Sequence, residues 1–202
     1  PRGEVYDGLE EIREPIVYGK SEMICHGTGG KKNGVLLFAV GSMVETAVLV
    51  REILLQEKGI DATVVNARFA QPFDGEMLDR DLSEHRLLVT MEENVRSGGF
   101  GEHVESWVSE HHPGQEVLCI SVPDAYVEHG AVPVLKKMLG LDPESIAEKT
   151  FLLLRHHLAL WDVIANCEID GSADASVREA VPVVDAAICK LIRLTGGVRV
   201  AC

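Results

Sequence analysis

The chain has 202 residues, a net charge of −13 at pH 7 and 46% apolar residues. This length and apolar content predict one globular domain of ordinary size with extensions. The negative charge argues against nucleic acid and anionic membranes as partners, because both are polyanions and no cluster of lysine and arginine offsets the repulsion. Five scattered cysteines without a Cys-x-x-Cys pair, and no apolar run of membrane-spanning length, lead us to expect a cytoplasmic protein.

The first 32 residues are rich in glycine and charge, and we predict that they form an interdomain linker with an edge strand within 15–25. From residue 34 the pattern becomes regular. Apolar runs predict strands, and the periodic segments between them predict helices. The predicted strands are 35–40, 62–67, 87–91 and 117–121, and the predicted helices are about 43–58, 75–84, 101–111, 132–139 and 144–154.

Four alternations of strand and helix predict an α/β domain over residues 33–154, with a mostly parallel sheet between layers of helices. The tail from 155 to 202 has a different pattern. Its polar stretch at 170–174 separates two segments with helical periodicity, the second at about 176–194 and interrupted by Pro182. We therefore predict a helical extension, which could cover a surface or mediate self-association.

Ligands of parallel α/β folds usually bind at the carboxyl ends of the strands. Polar side chains follow these ends in the predicted sheet, and one histidine lies in the loop after the fourth strand. The candidate residues at this edge are Arg68, Glu92, Glu93, Asn94 and His129.

The glycine turn at 98–101 follows the third of these strands and opens a helix, an arrangement that can bind phosphate. Three acidic residues surround it, and its spacing matches neither Gly-x-Gly-x-x-Gly nor a phosphate loop with lysine. We therefore favour tight packing of strand against helix over phosphate binding.

Each candidate at the edge has two interpretations. Glu92 and Glu93 could act as a paired acid and base, but adjacent strand residues point in different directions, which favours hydrogen bonds at a helix terminus or domain interface. Arg68 could bind a carboxylate or phosphate, and a buried ion pair with a nearby acid is the favoured alternative. His129 is either functional or a loop histidine that bonds backbone. The sequence contains no complete catalytic set.

The motifs of the chain, in this order and spacing, resemble the C-terminal domain of the 1-deoxy-D-xylulose-5-phosphate synthases, thiamine-diphosphate enzymes of the transketolase family. The resemblance spans residues 1–154, and residues 67–74 together with 128–130 point to the synthases in particular. The matching segments are 1–3, 15–20, 41–44, 64–74, 88–94, 98–101, 122–130 and 139–142.

This resemblance implies a three-layer α/β/α fold whose five-stranded sheet is mixed, with one antiparallel strand. It also implies a parent enzyme that condenses pyruvate with glyceraldehyde 3-phosphate. In that family the thiamine diphosphate and Mg²⁺ site, the catalytic glutamate and the substrate histidines belong to an N-terminal and a central domain. Nothing in this sequence resembles them. We therefore expect a non-catalytic fragment that binds no cofactor itself, with those two domains as partners in a homodimeric parent.

One residue is tied to substrate by the resemblance. Pro1-Arg2-Gly3 matches the end of a Tyr-Pro-Arg-Gly motif whose arginine binds the substrate phosphate, a role that suits a forked guanidinium. In the isolated chain we expect Arg2 to bind no phosphate measurably. Two alternatives stay open: a stand-alone regulatory or interaction module of the same fold, and the equivalent domain of a transketolase or a 2-oxoacid dehydrogenase β subunit.

Overall fold

The computed structural model describes residues 15–30 and 34–156, and the backbone of two further strands at 164–169 and 177–182. The strands of the main unit are β1 (Glu22–Cys25), β2 (Val35–Ala39), β3 (Thr63–Asn66), β4 (Leu87–Val95) and β5 (Glu116–Val122). The helices are α1 (Met43–Lys58), α2 (Gly75–Asp81), α3 (Phe100–His111), α4 (Val132–Met138) and α5 (Pro143–His156).

These five strands form one mixed sheet in the order β1-β3-β2-β4-β5. Strands β2 to β5 are parallel, and β1 is antiparallel to β3. The predicted five-stranded mixed sheet with an edge strand in 15–25 is therefore confirmed. Because β1 is antiparallel, its first residue, Glu22, lies opposite Asn66 at the carboxyl end of β3.

Side chains of the central strands are buried on both faces of the sheet, as expected for parallel strands covered by helices. On one face, apolar residues of α2 and α3 pack against those of β2, β3 and β4. Helix α1 contacts β2, β3 and β4 and buries residues that are not part of that cluster. No helix in the described part of the chain has the length and apolar character needed to cross a membrane.

Asp74 joins the edge strand to α2. One carboxylate oxygen accepts a hydrogen bond from the Met77 amide at 3.2 Å and caps the helix. The other accepts from the amide and the hydroxyl of Ser21 at 3.0 and 3.1 Å. Partial burial opposes ionisation, but these hydrogen bonds and nearby Lys20 outweigh it and lower the pKa of Asp74.

Asp74 is therefore expected to make stability depend on pH. Because its pKa is lower in the folded state, its contribution is complete above the ordinary value of 3.8 and disappears as pH falls through the folded value. Urea unfolding should show Asp74→Asn about 1 kcal/mol less stable than the wild type near pH 6, with the difference shrinking below pH 4. A constant difference from pH 6 to pH 3 would contradict this account. The exposed Asp124→Asn is the matched control.

The C-terminal unit differs from its prediction. Contacts divide the chain at residue 151, and beyond α5 the described backbone forms β6 (Ile164–Ile169) and β7 (Val177–Pro182), which pair antiparallel. The predicted helix at about 176–194 is wrong for 177–182, and the remainder of that helix lies outside the described residues. Two short segments that contain β-branched residues favour pairing with each other, and Pro182 opposes a helix.

Candidate functional site

The carboxyl ends of β2, β3 and β4 border a shallow depression of about 310 Å³. Ligands of this fold class usually bind in such a position. It is lined by Val40, Ala70, Gln71, Glu92, Glu93, Asn94, Gly98, Gly99, Phe100 and His103. Strand β4 is longer than predicted, so the three polar residues Glu92 to Asn94 belong to the strand itself, where its register with β5 is irregular.

Glu92 is buried, with 3% of its surface exposed. One carboxylate oxygen accepts a hydrogen bond from the Phe100 amide at 2.9 Å, and the other accepts from the Gly101 amide at 2.7 Å. These amides belong to the first turn of α3, where helices have unpaired N–H groups and a partial positive charge. Glu92, which lies in the preceding strand, thus accepts hydrogen bonds from two of the otherwise unpaired N–H groups at the start of α3.

The glycine turn makes room for this carboxylate. A Cβ atom at Gly99 would lie 2.3 Å from the carbonyl oxygen of Val95 and less than 3 Å from both oxygens of Glu92. A Cβ atom at Gly101 would lie 2.7 Å from the hydroxyl of Thr90. The position where a glycine-rich helix start would hold a phosphate is therefore filled by a side chain of the protein. This geometry supports the prediction that the turn serves strand-to-helix packing.

Glu93 points to a different group of side chains. Its carboxylate accepts a hydrogen bond from the Ser42 hydroxyl at 2.6 Å and forms an ion pair with Lys136 at 2.5 Å. Partial burial opposes ionisation, but these two contacts outweigh it and lower the pKa of Glu93. A base for catalysis near neutral pH needs the opposite shift. Because Glu92 bonds two amides of α3 and Glu93 bonds Ser42 and Lys136, the contacts favour structural roles for both residues over an acid and base pair.

Arg68 forms a nearly buried ion pair with Glu22. Its Nη2 and Nε atoms donate to the two carboxylate oxygens, and the two side chains are 12% and 7% exposed. Its Nη1 atom donates to the carbonyl oxygen of Pro15 at 3.1 Å. The Arg68 backbone has φ 58°, a left-handed conformation, and its amide donates to the side chain of Asn66 at 3.0 Å. Of the two interpretations of Arg68, the structure shows the ion pair.

The other candidates make fewer contacts. Asn94 and His129 are exposed, Asn94 at the depression and His129 in the loop between β5 and α4. Arg2 lies outside the described residues. The edge thus has Arg68 after the end of β3 and Glu92, Glu93 and Asn94 at the end of β4, with β2 between these two strands.

Two residues at this edge were missed by sequence reasoning: Glu22 and Lys136. Glu22 could have been found once the first strand was taken as antiparallel, since its start then meets the carboxyl ends of the others. Ser42 lies three residues after β2 and is the N-cap residue of α1. Lys136 gave no signal, because exposed lysines near a helix C-terminus are common.

The sequence pattern of a known family matches residues 29–146, more than half of the chain, and is described as "Transketolase, C-terminal domain". The chain belongs to this transketolase C-terminal domain family. The family assignment agrees with the mixed sheet and its helical layers. The resemblance predicted from the motifs is thereby confirmed.

Curated proteins similar to this transketolase C-terminal domain include 1-deoxy-D-xylulose-5-phosphate synthases. The 1-deoxy-D-xylulose-5-phosphate synthase of Lachnoclostridium phytofermentans is 50% identical over 150 residues, which are 74% of this chain and 23% of that protein. The synthase of Acaryochloris marina is 41% identical over 147 residues, which are 73% of this chain and 22% of that protein. The chain therefore spans about a quarter of the length of these relatives.

A solved structure supports the fold. "Split gene transketolase, inactive beta4 tetramer" has a TM-score of 0.59 and 26% identity to this domain. The match covers 69% of this chain and 42% of that one. The similarity is to the shared C-terminal fold.

The transketolase family implies thiamine diphosphate and a divalent metal, and the described residues do not fit such a group. The helix start best suited to a diphosphate, that of α3, is occupied by Glu92. Among residues 15–30 and 34–156, no three His, Cys, Asp or Glu side chains are grouped as metal ligands. No step of a reaction is therefore derived from this cofactor.

Proposed function

We propose that this chain is the C-terminal domain of a 1-deoxy-D-xylulose-5-phosphate synthase. In the parent enzyme it packs against the N-terminal and central domains of a cytoplasmic homodimer. The parent condenses pyruvate with glyceraldehyde 3-phosphate, using thiamine diphosphate and Mg²⁺ held by the other domains. The observation that carries the proposal is the 50% identity to a synthase over 150 residues.

The contacts at the sheet edge favour a structural role over a catalytic one. Glu92 bonds the start of α3, Glu93 bonds Ser42 and Lys136, and Arg68 bonds Glu22. Each of these charges is committed to another group of the domain. If this edge lies at a domain interface, its charged side chains face the partner in a fixed arrangement, because their ion pairs and hydrogen bonds hold them in place.

A chimera tests this proposal. Residues 1–154 replace the matching region of the Lachnoclostridium phytofermentans synthase, and formation of 1-deoxyxylulose 5-phosphate is assayed. We expect kcat within about tenfold of the natural enzyme, a difference of about 1.4 kcal/mol in activation free energy. A chimera that folds and binds thiamine diphosphate but makes no product would contradict the proposal and favour a stand-alone module. The same assay with transketolase substrates distinguishes the equivalent domain of a transketolase.

In this chimera Arg2 is proposed to contact the phosphate of glyceraldehyde 3-phosphate. Losing a charged hydrogen bond to phosphate should cost about 1.5 to 3 kcal/mol. Arg2→Met is therefore expected to raise KM for glyceraldehyde 3-phosphate about tenfold to a hundredfold, with little change in KM for pyruvate. The control is Arg13→Met, which removes an equal charge from the same segment. Equal effects of the two variants would refute the assignment of Arg2.

A further inference from the structure

The segment from Pro123 to Met138, which we call the α4 segment, connects β5 to the end of α4 and carries His129. None of the α4 residues is buried. Four large apolar side chains of this segment are between 62% and 92% exposed: Tyr126, Val132, Val134 and Met138. Little apolar burial is therefore available to hold the α4 segment on the domain.

The two ends of the segment are attached differently. After α4, Gly140 adopts a left-handed conformation with φ 64°, and Lys149 donates to its carbonyl oxygen at 3.2 Å. Leu141, which is 3% exposed, anchors the chain there, and its amide N–H donates to the carbonyl oxygen of Lys136 at 2.8 Å. Before α4, Gly130 contacts Leu135 of the helix, and an added Cβ atom at Gly130 would lie 3.1 Å from the Leu135 side chain. This second contact lies within the segment and does not reach the sheet.

Lys136 is the described residue of α4 that reaches the sheet through an ion pair. Its Nζ atom lies 2.5 Å from Glu93 of β4, and the other oxygen of that carboxylate accepts from Ser42, the N-cap residue of α1. The two charged side chains are 26% and 38% exposed, so water screens the pair only in part. The cluster links the end of β4 and the start of α1 to a helix in which no residue is buried.

We propose that Lys136 is a positioning residue, which holds the α4 segment and its His129 loop against the carboxyl edge of the sheet through Glu93 and Ser42. Without this ion pair, the segment opens as a unit about the turn at Gly140. The pair then determines whether the exposed apolar side chains and His129 are presented in one fixed arrangement. This positioning role belongs to the folded chain itself and is independent of the activity of any parent enzyme.

Hydrogen exchange measured by mass spectrometry on the 202-residue chain tests this role. In Lys136→Met, amides of the α4 segment should exchange about three to ten times faster, which corresponds to about 0.7 to 1.4 kcal/mol of lost local stability. Amides of β2 and β4 should exchange at the wild-type rate. The matched control is Lys137→Met, since Lys137 is exposed, adjacent and of equal charge.

Two further variants make the test specific to the ion pair. Lys136→Arg should keep most of the protection of the α4 segment amides. In the double variant Glu93→Lys with Lys136→Glu, which swaps the two charges, these amides should be more protected than in either single variant. Equal exchange in Lys136→Met and Lys137→Met would overturn the proposal. Faster exchange spread equally over the α4 segment, β2 and β4 would also overturn it, because the pair would then stabilise the sheet as a whole.

Discussion

Replacing Glu92 with alanine should lower the free energy of unfolding by about 3 kcal/mol. The amides of Phe100 and Gly101 would lose their acceptors in a buried position, and each buried donor left unpaired costs about 1 to 3 kcal/mol. The start of α3 would also lose the negative charge that stabilises its dipole. Urea unfolding followed by circular dichroism gives the difference.

Two further variants, Glu92→Gln and Glu110→Ala, serve as controls for this prediction. Glutamine keeps one acceptor oxygen and presents an amide to the second backbone N–H, so we expect an intermediate loss of about 1.5 kcal/mol. Glu110 lies on the exposed face of α3, and its replacement should change stability by less than about 0.5 kcal/mol. A Glu92→Ala variant as stable as Glu110→Ala would show that the carboxylate does not support the helix.

Arg68→Ala should cost about 3 kcal/mol or more, because it leaves the carboxylate of Glu22 buried without its cation. Removing one partner of a buried ion pair lowers the free energy of unfolding by more than the intact pair contributes to it. The remaining charge stays buried and keeps its desolvation penalty. Thermal and urea unfolding both measure this loss. Alanine at this position keeps the strain of the left-handed backbone, so the difference reports the side chain.

The exposed ion pair of Arg80 with Asp81 supplies the matched control. Arg80 is 69% exposed, and Arg80→Ala should cost less than about 0.5 kcal/mol. A double-mutant cycle of Arg68→Ala with Glu22→Gln should give a coupling energy of about 2 kcal/mol. If Arg68→Ala and Arg80→Ala lost the same stability, the buried pair would have no special role at this edge.

Much of the fold could be predicted, because strand and helix periods are local properties of the sequence. The run of apolar residues at 35–40 predicted β2 to within one residue. Gly59 correctly predicted the end of α1, because glycine is favoured at the C-cap. The tail could not be predicted in the same way. The segment at 177–182 has a pattern compatible with a helix, and its strand depends on pairing with β6.

The site could be predicted less well than the fold. Strand ends in a parallel sheet are known to meet, so the positions of Arg68 and Glu92 followed from the topology. The partner of Arg68 did not, because it lies far away in the sequence. Glu22 is 46 residues from Arg68, and its position depends on the antiparallel direction of β1. Lys136 reaches Glu93 only because α4 lies over the sheet edge.

We propose that this chain is a non-catalytic domain whose parent enzyme supplies the reactive groups. The most direct measurement assays the isolated 202-residue chain beside the chimera, with pyruvate, glyceraldehyde 3-phosphate, thiamine diphosphate and Mg²⁺ in both reactions. Product formation is followed by chromatography. We expect the chimera to form 1-deoxyxylulose 5-phosphate and the isolated chain to form none above the buffer control. Product that increases in proportion to the concentration of the isolated chain would contradict the claim.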